Sequence, residues 1–163
     1  MRAAAVVLAT ALALALQTTL ARFVIRGTVA VDLVLVVVVY AALAGSPVTG
    51  LLAGTAGGLA QDALSGGLVG VGGFAKTLVG FLVGVVGSQF IVAQSLTRFV
   101  VFFAATMMHT ACFYGLYALI EPRGFPVIAV LTQAIGNGVV GVAAFQVAAM
   151  MPGLAVRRRA RRR

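Results

Sequence analysis

With 163 residues, 62% of them hydrophobic and only 9% charged, the chain carries too few polar groups to cover a soluble surface and reads as an integral membrane protein. A polytopic bundle uses nearly all of this length, so no separate soluble domain is expected. The net charge of +9 comes mostly from C-terminal arginines, and the single cysteine, Cys112, lies in an apolar run with no partner for an intrachain disulfide.

Measured against ~20 apolar residues per crossing, six transmembrane helices are expected, at about 3–21, 29–44, 48–64, 74–92, 99–120 and 126–151, with a basic tail at 157–163. The fold class is therefore an all-α polytopic membrane protein. Arg2 and the Thr19-Leu20-Ala21 end of the first run also suit a cleaved signal peptide. The run exceeds the usual ~7–15 residue apolar region of such peptides, which favours a span.

Spans two and three are short. A 16-residue run covers about 24 Å at ~1.5 Å per residue, less than the ~30 Å hydrocarbon core, so neighbours must shelter this pair or the bilayer must thin. Gly45-Ser46-Pro47 joins them tightly. Span two, Val31 to Tyr40, has no face of small residues and is expected to meet lipid or a partner helix. Span three repeats Gly50, Gly54 and Gly58, and span four carries Gly80 and Gly84. Such spacing lets helix backbones approach closely, within the chain or across a dimer or partner seam.

Ionisable residues inside spans are costly and so become functional candidates. Asp32 opens span two, Asp62 closes span three and Lys76 opens span four. Asp62 and Lys76 each stand seven residues from Val69, so a helical hairpin brings them level and predicts an ion pair clamping the turn, or a partner-docking site. Glu121-Pro122-Arg123-Gly124 adds a turn on the same side, with Glu121 a further candidate. His109, deep in span five, is expected to hydrogen-bond between helices. With Cys112 it makes only half a metal site.

Arginine distribution gives orientation. Arg2, Arg98 and the six arginines between 157 and 163 share one side, against Arg22, Arg26, Lys76 and Arg123 on the other, which places both termini in the cytoplasm. A basic cluster just beyond a last span is expected to touch anionic lipid rather than nucleic acid.

Two nucleotide-like motifs fail on context. Gly70 followed by Lys76-Thr77 approximates a phosphate loop, and Leu64-Ser65-Gly66-Gly67 a cassette signature. A phosphate loop needs a preceding strand, a glycine before the lysine and an acidic residue for magnesium; here a membrane helix precedes it and Ala75 replaces the glycine. The order of the two motifs is also reversed. Ala63-Leu64-Ser65-Gly66 lies one letter from an intramembrane serine-protease motif, but His109 is expected roughly 15 Å deeper than Ser65, too far to act as its base. No polar constellation at one depth with room for substrate chemistry is expected, and no cofactor.

The stretch Val31 to Leu35, the tight turn into a glycine-rich span three, and Gln61-Asp62-Ala63-Leu64-Ser65-Gly66-Gly67-Leu68-Val69-Gly70 resemble the MreD family of rod shape-determining proteins. That family's D-x-x-S-G-x-x-x-G falls on Asp62, Ser65, Gly66 and Gly70; Val31 stands where the family commonly has proline. The resemblance implies a non-catalytic protein of the bacterial inner membrane, bound to the bitopic partner MreC and, with it, to MreB and the peptidoglycan synthases of the elongation complex. It also implies a fold similar to the substrate-binding subunits of energy-coupling-factor transporters, which makes solute binding the rival function. A solute binder should line its outer cavity with hydrogen-bonding side chains and aromatics.

Overall fold

The computed structural model describes residues 3–21, 31–66, 68–90, 92, 94–120 and 124–150. The candidates Arg2, Arg22, Arg26, Gly67, Glu121 and Arg123 and the arginine tail lie outside them. The described elements are helices: α1 (Ala3–Ala21), α2 (Leu33–Ala44), α3 (Pro47–Ser65), α4 (Val71–Gln89), α5 (Ser95–Ala118) and α6 (Val127–Met150). By length and composition α4, α5 and α6 can each cross a membrane, and Ala4–Thr19 and Leu33–Ala44 are shorter apolar helices.

Helix α2 is the hub of the bundle. It starts at Leu33 because Asp32 caps it, its carboxylate accepting from the Leu35 amide at 3.0 Å. At 12 residues it spans only about 18 Å at ~1.5 Å per residue, but α1, α3, α4, α5 and α6 all pack against it. The expectation that this helix meets lipid or a partner is therefore wrong. Val34, Val38 and Ala41 pack with Val6 and Ala13 of α1 and Ala53 of α3, while Leu35, Val39 and Ala42 join Val79, Phe102 and Phe145. Its β-branched run is buried on both flanks, which is why no amphipathic signature marks an inner side.

Helices α3 and α4 form a close antiparallel hairpin. Ser46 caps α3 by accepting from the Thr49 amide at 3.2 Å, with Pro47 in its first turn. Along the seam Gly50 faces Gly80 so closely that a Cβ on either would meet the other's carbonyl oxygen, and one on Gly54 would meet the Lys76 carbonyl. A Cβ on Gly58 would come 2.6 Å from the Gly73 Cα, and one on Gly84 2.5 Å from the Pro47 Cα. Midway along this seam the Thr55 and Thr77 hydroxyls are linked at 2.9 Å. Small residues replace side chains with backbone contact here, the usual source of helix association in lipid.

Between α5 and α6 the same device seats aromatic rings: Gly138 faces Phe99 and Gly141 faces Phe102. At this end Arg98 lies 4.6 Å over the Phe145 ring and donates to the Val92 carbonyl. The hairpin and the α5–α6 pair thus hold α2 between them, and the first residue before α2, Asp32, is carried into the interior.

Candidate functional site

Four helices contribute to a buried polar cluster around Asp32. One carboxylate oxygen pairs with Lys76 Nζ of α4 at 2.8 Å, and the other caps α2. The Asp32 amide donates to Asn137 Oδ1 of α6 at 2.9 Å. Asn137 Nδ2 in turn donates to the Thr106 hydroxyl of α5 at 3.0 Å. Lys76 Nζ also contacts His109 Nε2 at 3.1 Å. Asp32, Lys76, His109 and Asn137 are all buried, Asn137 completely. A buried ion pair persists only where geometry and additional hydrogen bonds offset desolvation, and here each charge has both.

This geometry fixes the imidazole tautomer. An ammonium group has donors and no acceptor, so His109 Nε2 accepts from Lys76, and the proton of the neutral ring resides on Nδ1. The expected hydrogen bond between helices is present, with Lys76 as its donor.

Asp62 has a different task. Its Oδ2 accepts from the Gly70 amide at 2.9 Å and the Gly73 amide at 3.0 Å. It thereby caps α4 from across the turn, where Gly70 itself offers no side chain. Negative charge at a helix N-terminus also meets the favourable end of the helix dipole. Gly72 must lack a side chain for this carboxylate to arrive, since a Cβ there would strike Asp62 Oδ1. Gly66 and Gly70 adopt left-handed φ values of +66° and +108°. The Ser65 hydroxyl donates back to the Gln61 carbonyl at 2.8 Å.

The predicted Asp62–Lys76 pair is thus not the one the fold makes. Equal distance from Val69 put both residues at one level but ignored rotation about α4: Lys76 projects toward α2 and α5, whereas Asp62 reaches only the first turn of α4. Asp32 takes the lysine instead. The turn is still clamped by Asp62, through backbone amides.

A cavity of about 220 Å³ adjoins this cluster. Its lining includes Asp32, Lys76 and His109, Gln61, Asp62 and Ser65 of α3, Phe113, Tyr114 and Tyr117 of α5, and Gln133 of α6. Partners from four helices converge here where local spacing shows only isolated residues. Ser65 and His109 also share this cavity despite their predicted difference in depth. They still form no nucleophile and base, since the Ser65 hydroxyl is donated to a carbonyl and His109 Nε2 is committed to Lys76.

Lys76 engages Asp32, and α3 precedes the 66–70 turn, so the phosphate-loop likeness has neither a free lysine nor a strand. Among the described residues no three of His, Cys, Asp and Glu gather as a metal-binding group. Asn137 and Thr106 escaped the sequence reading. A usable signal existed: an amide between Gly136 and Gly138 in an otherwise apolar helix must find a partner.

No curated protein and no solved structure matches the chain. The family model of the rod shape-determining protein MreD matches residues 2–149, and this covers the hairpin, its turn motif and every element that builds the cluster. A helical membrane bundle with this motif at its α3–α4 turn and this match over nearly its whole length belongs to the MreD family.

Proposed function

We propose that this chain is a non-catalytic scaffold of the bacterial cell-elongation complex. In this reading it sits in the inner membrane with both termini cytoplasmic, docks the transmembrane helix and juxtamembrane segment of MreC, and through MreC supports MreB and the peptidoglycan synthases. Anionic lipid meets the arginine tail. The family match over residues 2–149 carries the reading. The interior supports it, because the intramembrane charges are satisfied within the chain and hold helices together.

That arrangement changes where a partner would bind. Asp32, Asp62 and Lys76 have no free charge to offer an incoming chain, so docking falls to the apolar outer faces. Phe74, Leu78 and Phe81 form such a stripe on α4, spaced for one helix face and exposed. The rival reading, a solute-binding transporter subunit, gains from the polar and aromatic lining of the cavity. Co-purification of the tagged chain from native membranes, read by mass spectrometry, separates them. MreC and peptidoglycan synthases are expected; an energy-coupling ATPase without cell-wall proteins would replace the scaffold by the transporter. In a Cys112→Ser background, Val69→Cys should react with an impermeant maleimide in cells whose outer membrane alone is permeabilised, and Ala160→Cys should not; the reverse pattern would invert the orientation.

A further inference from the structure

Three side chains lining the cavity beside the Asp32–Lys76 pair carry hydrogen-bonding groups that the chain does not use. They come from three helices: Nε2 of Gln61 on α3, the Tyr114 hydroxyl on α5 and the whole carboxamide of Gln133 on α6. None of these groups has a hydrogen-bond partner among the described residues, and none is sealed from solvent, so each presents accessible surface. Unpartnered polar groups are costly at membrane depth and mark function there. Elsewhere the bundle pairs such groups, Thr55 with Thr77 and Asn137 with both Asp32 and Thr106.

The charges of the lining are already committed. Asp32 and Lys76 pair at 2.8 Å, and Asp62 serves the Gly70 and Gly73 amides. What remains open is uncharged and mixed: amide donors from Gln61 and Gln133, the Gln133 carbonyl as an acceptor, and a phenol that does both. Beside these groups stands an aromatic wall, in which the Phe113 ring lies 5.7 Å from Tyr114 and 5.2 Å from Tyr117, centroid to centroid. From His109 to Tyr117 the α5 lining extends about 12 Å at ~1.5 Å per residue. The volume of about 220 Å³ lies below the ~300 Å³ at which drug-sized pockets begin. An ion would meet two carboxylates and an ammonium at once, and a purely apolar ligand would leave the open polar groups unanswered. Hydroxyls both donate and accept, so neighbouring hydroxyls on one ring answer amide donors and a carbonyl together, while the C–H face of that ring packs on the aromatic wall.

We propose that this cavity binds one uncharged ring polyol of monosaccharide size, its hydroxyls answering Gln61, Tyr114 and Gln133 and its C–H face meeting the α5 rings. The exposed α4 stripe takes no part in the lining, so the site is separate from the partner-docking surface. It goes beyond the scaffold reading and does not depend on it.

The test uses the purified full chain in a detergent without a sugar headgroup. Thermal unfolding is followed by a maleimide fluorophore that reports exposure of Cys112, the sole cysteine. Glucose, galactose and myo-inositol are the ring polyols; cyclohexanol keeps a six-membered ring with one hydroxyl, and glycerol supplies hydroxyls without a ring. At least one ring polyol should raise the midpoint saturably, and cyclohexanol should not. Glycerol at matched hydroxyl concentration measures the general stabilisation that excluded osmolytes give, and the ring polyol should exceed it. Tyr114→Phe removes one hydroxyl and keeps the ring, and Gln133→Leu removes a carboxamide at similar volume. Because these groups are unpaired, both unliganded variants should unfold at the same midpoint or higher, while affinity for the polyol falls about tenfold. No saturable shift from any ring polyol, an equal shift from glycerol or cyclohexanol, or a shift that survives both substitutions would each overturn the proposal.

Discussion

The α3–α4 seam and the polar cluster above α2 meet at Lys76, whose carbonyl packs on Gly54 while its ammonium pairs with Asp32. They hold the bundle by opposite means. The seam has few side chains: two backbones approach over about three helical turns because glycines leave them room, and its energy is spread thinly along dispersion contacts. The cluster is compact and specific, with the polar side-chain atoms of Asp32, Lys76 and Asn137 each matched to named partners, most of them on other helices. A seam of this kind fails by collision and a cluster by desertion, and those two failures have different sizes.

Collision should be the larger. Gly54→Leu sets a Cβ against the Lys76 carbonyl, an atom fixed in a helix that cannot rotate aside. Ordinary overpacking costs ~1–3 kcal/mol; here the hairpin must open, so the loss should pass ~4 kcal/mol, the exceptional range for one substitution. Folded yield in mild detergent should collapse. Gly115→Ala is the matched control, because a Cβ there meets nothing within 4 Å. Equal behaviour of the two variants would show that the seam does not depend on glycine.

Desertion comes next. Lys76→Met leaves Asp32 charged, buried and without its cation, and Asp32→Asn leaves Lys76 in the same position while retaining a capping side chain. Breaking a buried pair typically costs ~3–5 kcal/mol, whereas replacing both members can be nearly neutral. Each single variant should therefore lower the unfolding midpoint sharply by Cys112 labelling, and Asp32→Asn with Lys76→Met should recover most of the loss. A double variant as unstable as the sum of its parts would mean that the pair contributes nothing by pairing.

The same contrast explains what the sequence could reveal. The seam was legible because Gly50, Gly54 and Gly58 recur at a local interval that means close approach whatever lies opposite. The helices among the described residues were legible for the same reason, since apolar length is local, although only α4, α5 and α6 are long and apolar enough to cross a membrane. The cluster was not: Asp32 and Asn137 lie 105 residues apart, and nothing in either neighbourhood names the other. Symmetry about Val69 offered Lys76 a nearer partner. What it lacked was the angular position of each side chain on its helix, which depends on how α2 is placed in the bundle. That placement was itself hidden, because a valine run buried on both flanks looks the same as one facing lipid. The turn motif was recognised as a pattern, but its physical content emerges only from the fold: Asp62 caps α4, Gly66 and Gly70 turn left-handed, and Gly72 stays bare to admit the carboxylate.

Asp62 yields the smallest effect and the sharpest distinction between the two possible lysine partners. Its carboxylate serves two amides at the start of α4 and, among the described residues, no cation, so its loss is the loss of a cap. Replacing a capping side chain by alanine costs ~0.5–2 kcal/mol, and asparagine caps about as well as aspartate. Asp62→Ala should lower the unfolding midpoint modestly, and Asp62→Asn should restore most of it, although asparagine has no charge with which to hold a lysine. An ion-pair clamp would respond otherwise, with Asn as damaging as Ala. Combining Asp62→Ala with Lys76→Met completes the test, because groups that share no partner add within ~0.5 kcal/mol, whereas contacting pairs couple by ~0.5–3 kcal/mol. Additivity is the expected result. Coupling above ~1 kcal/mol, absent from the Asp62→Asn background, would return Lys76 to Asp62 and remove Asp32 from the centre of the cluster.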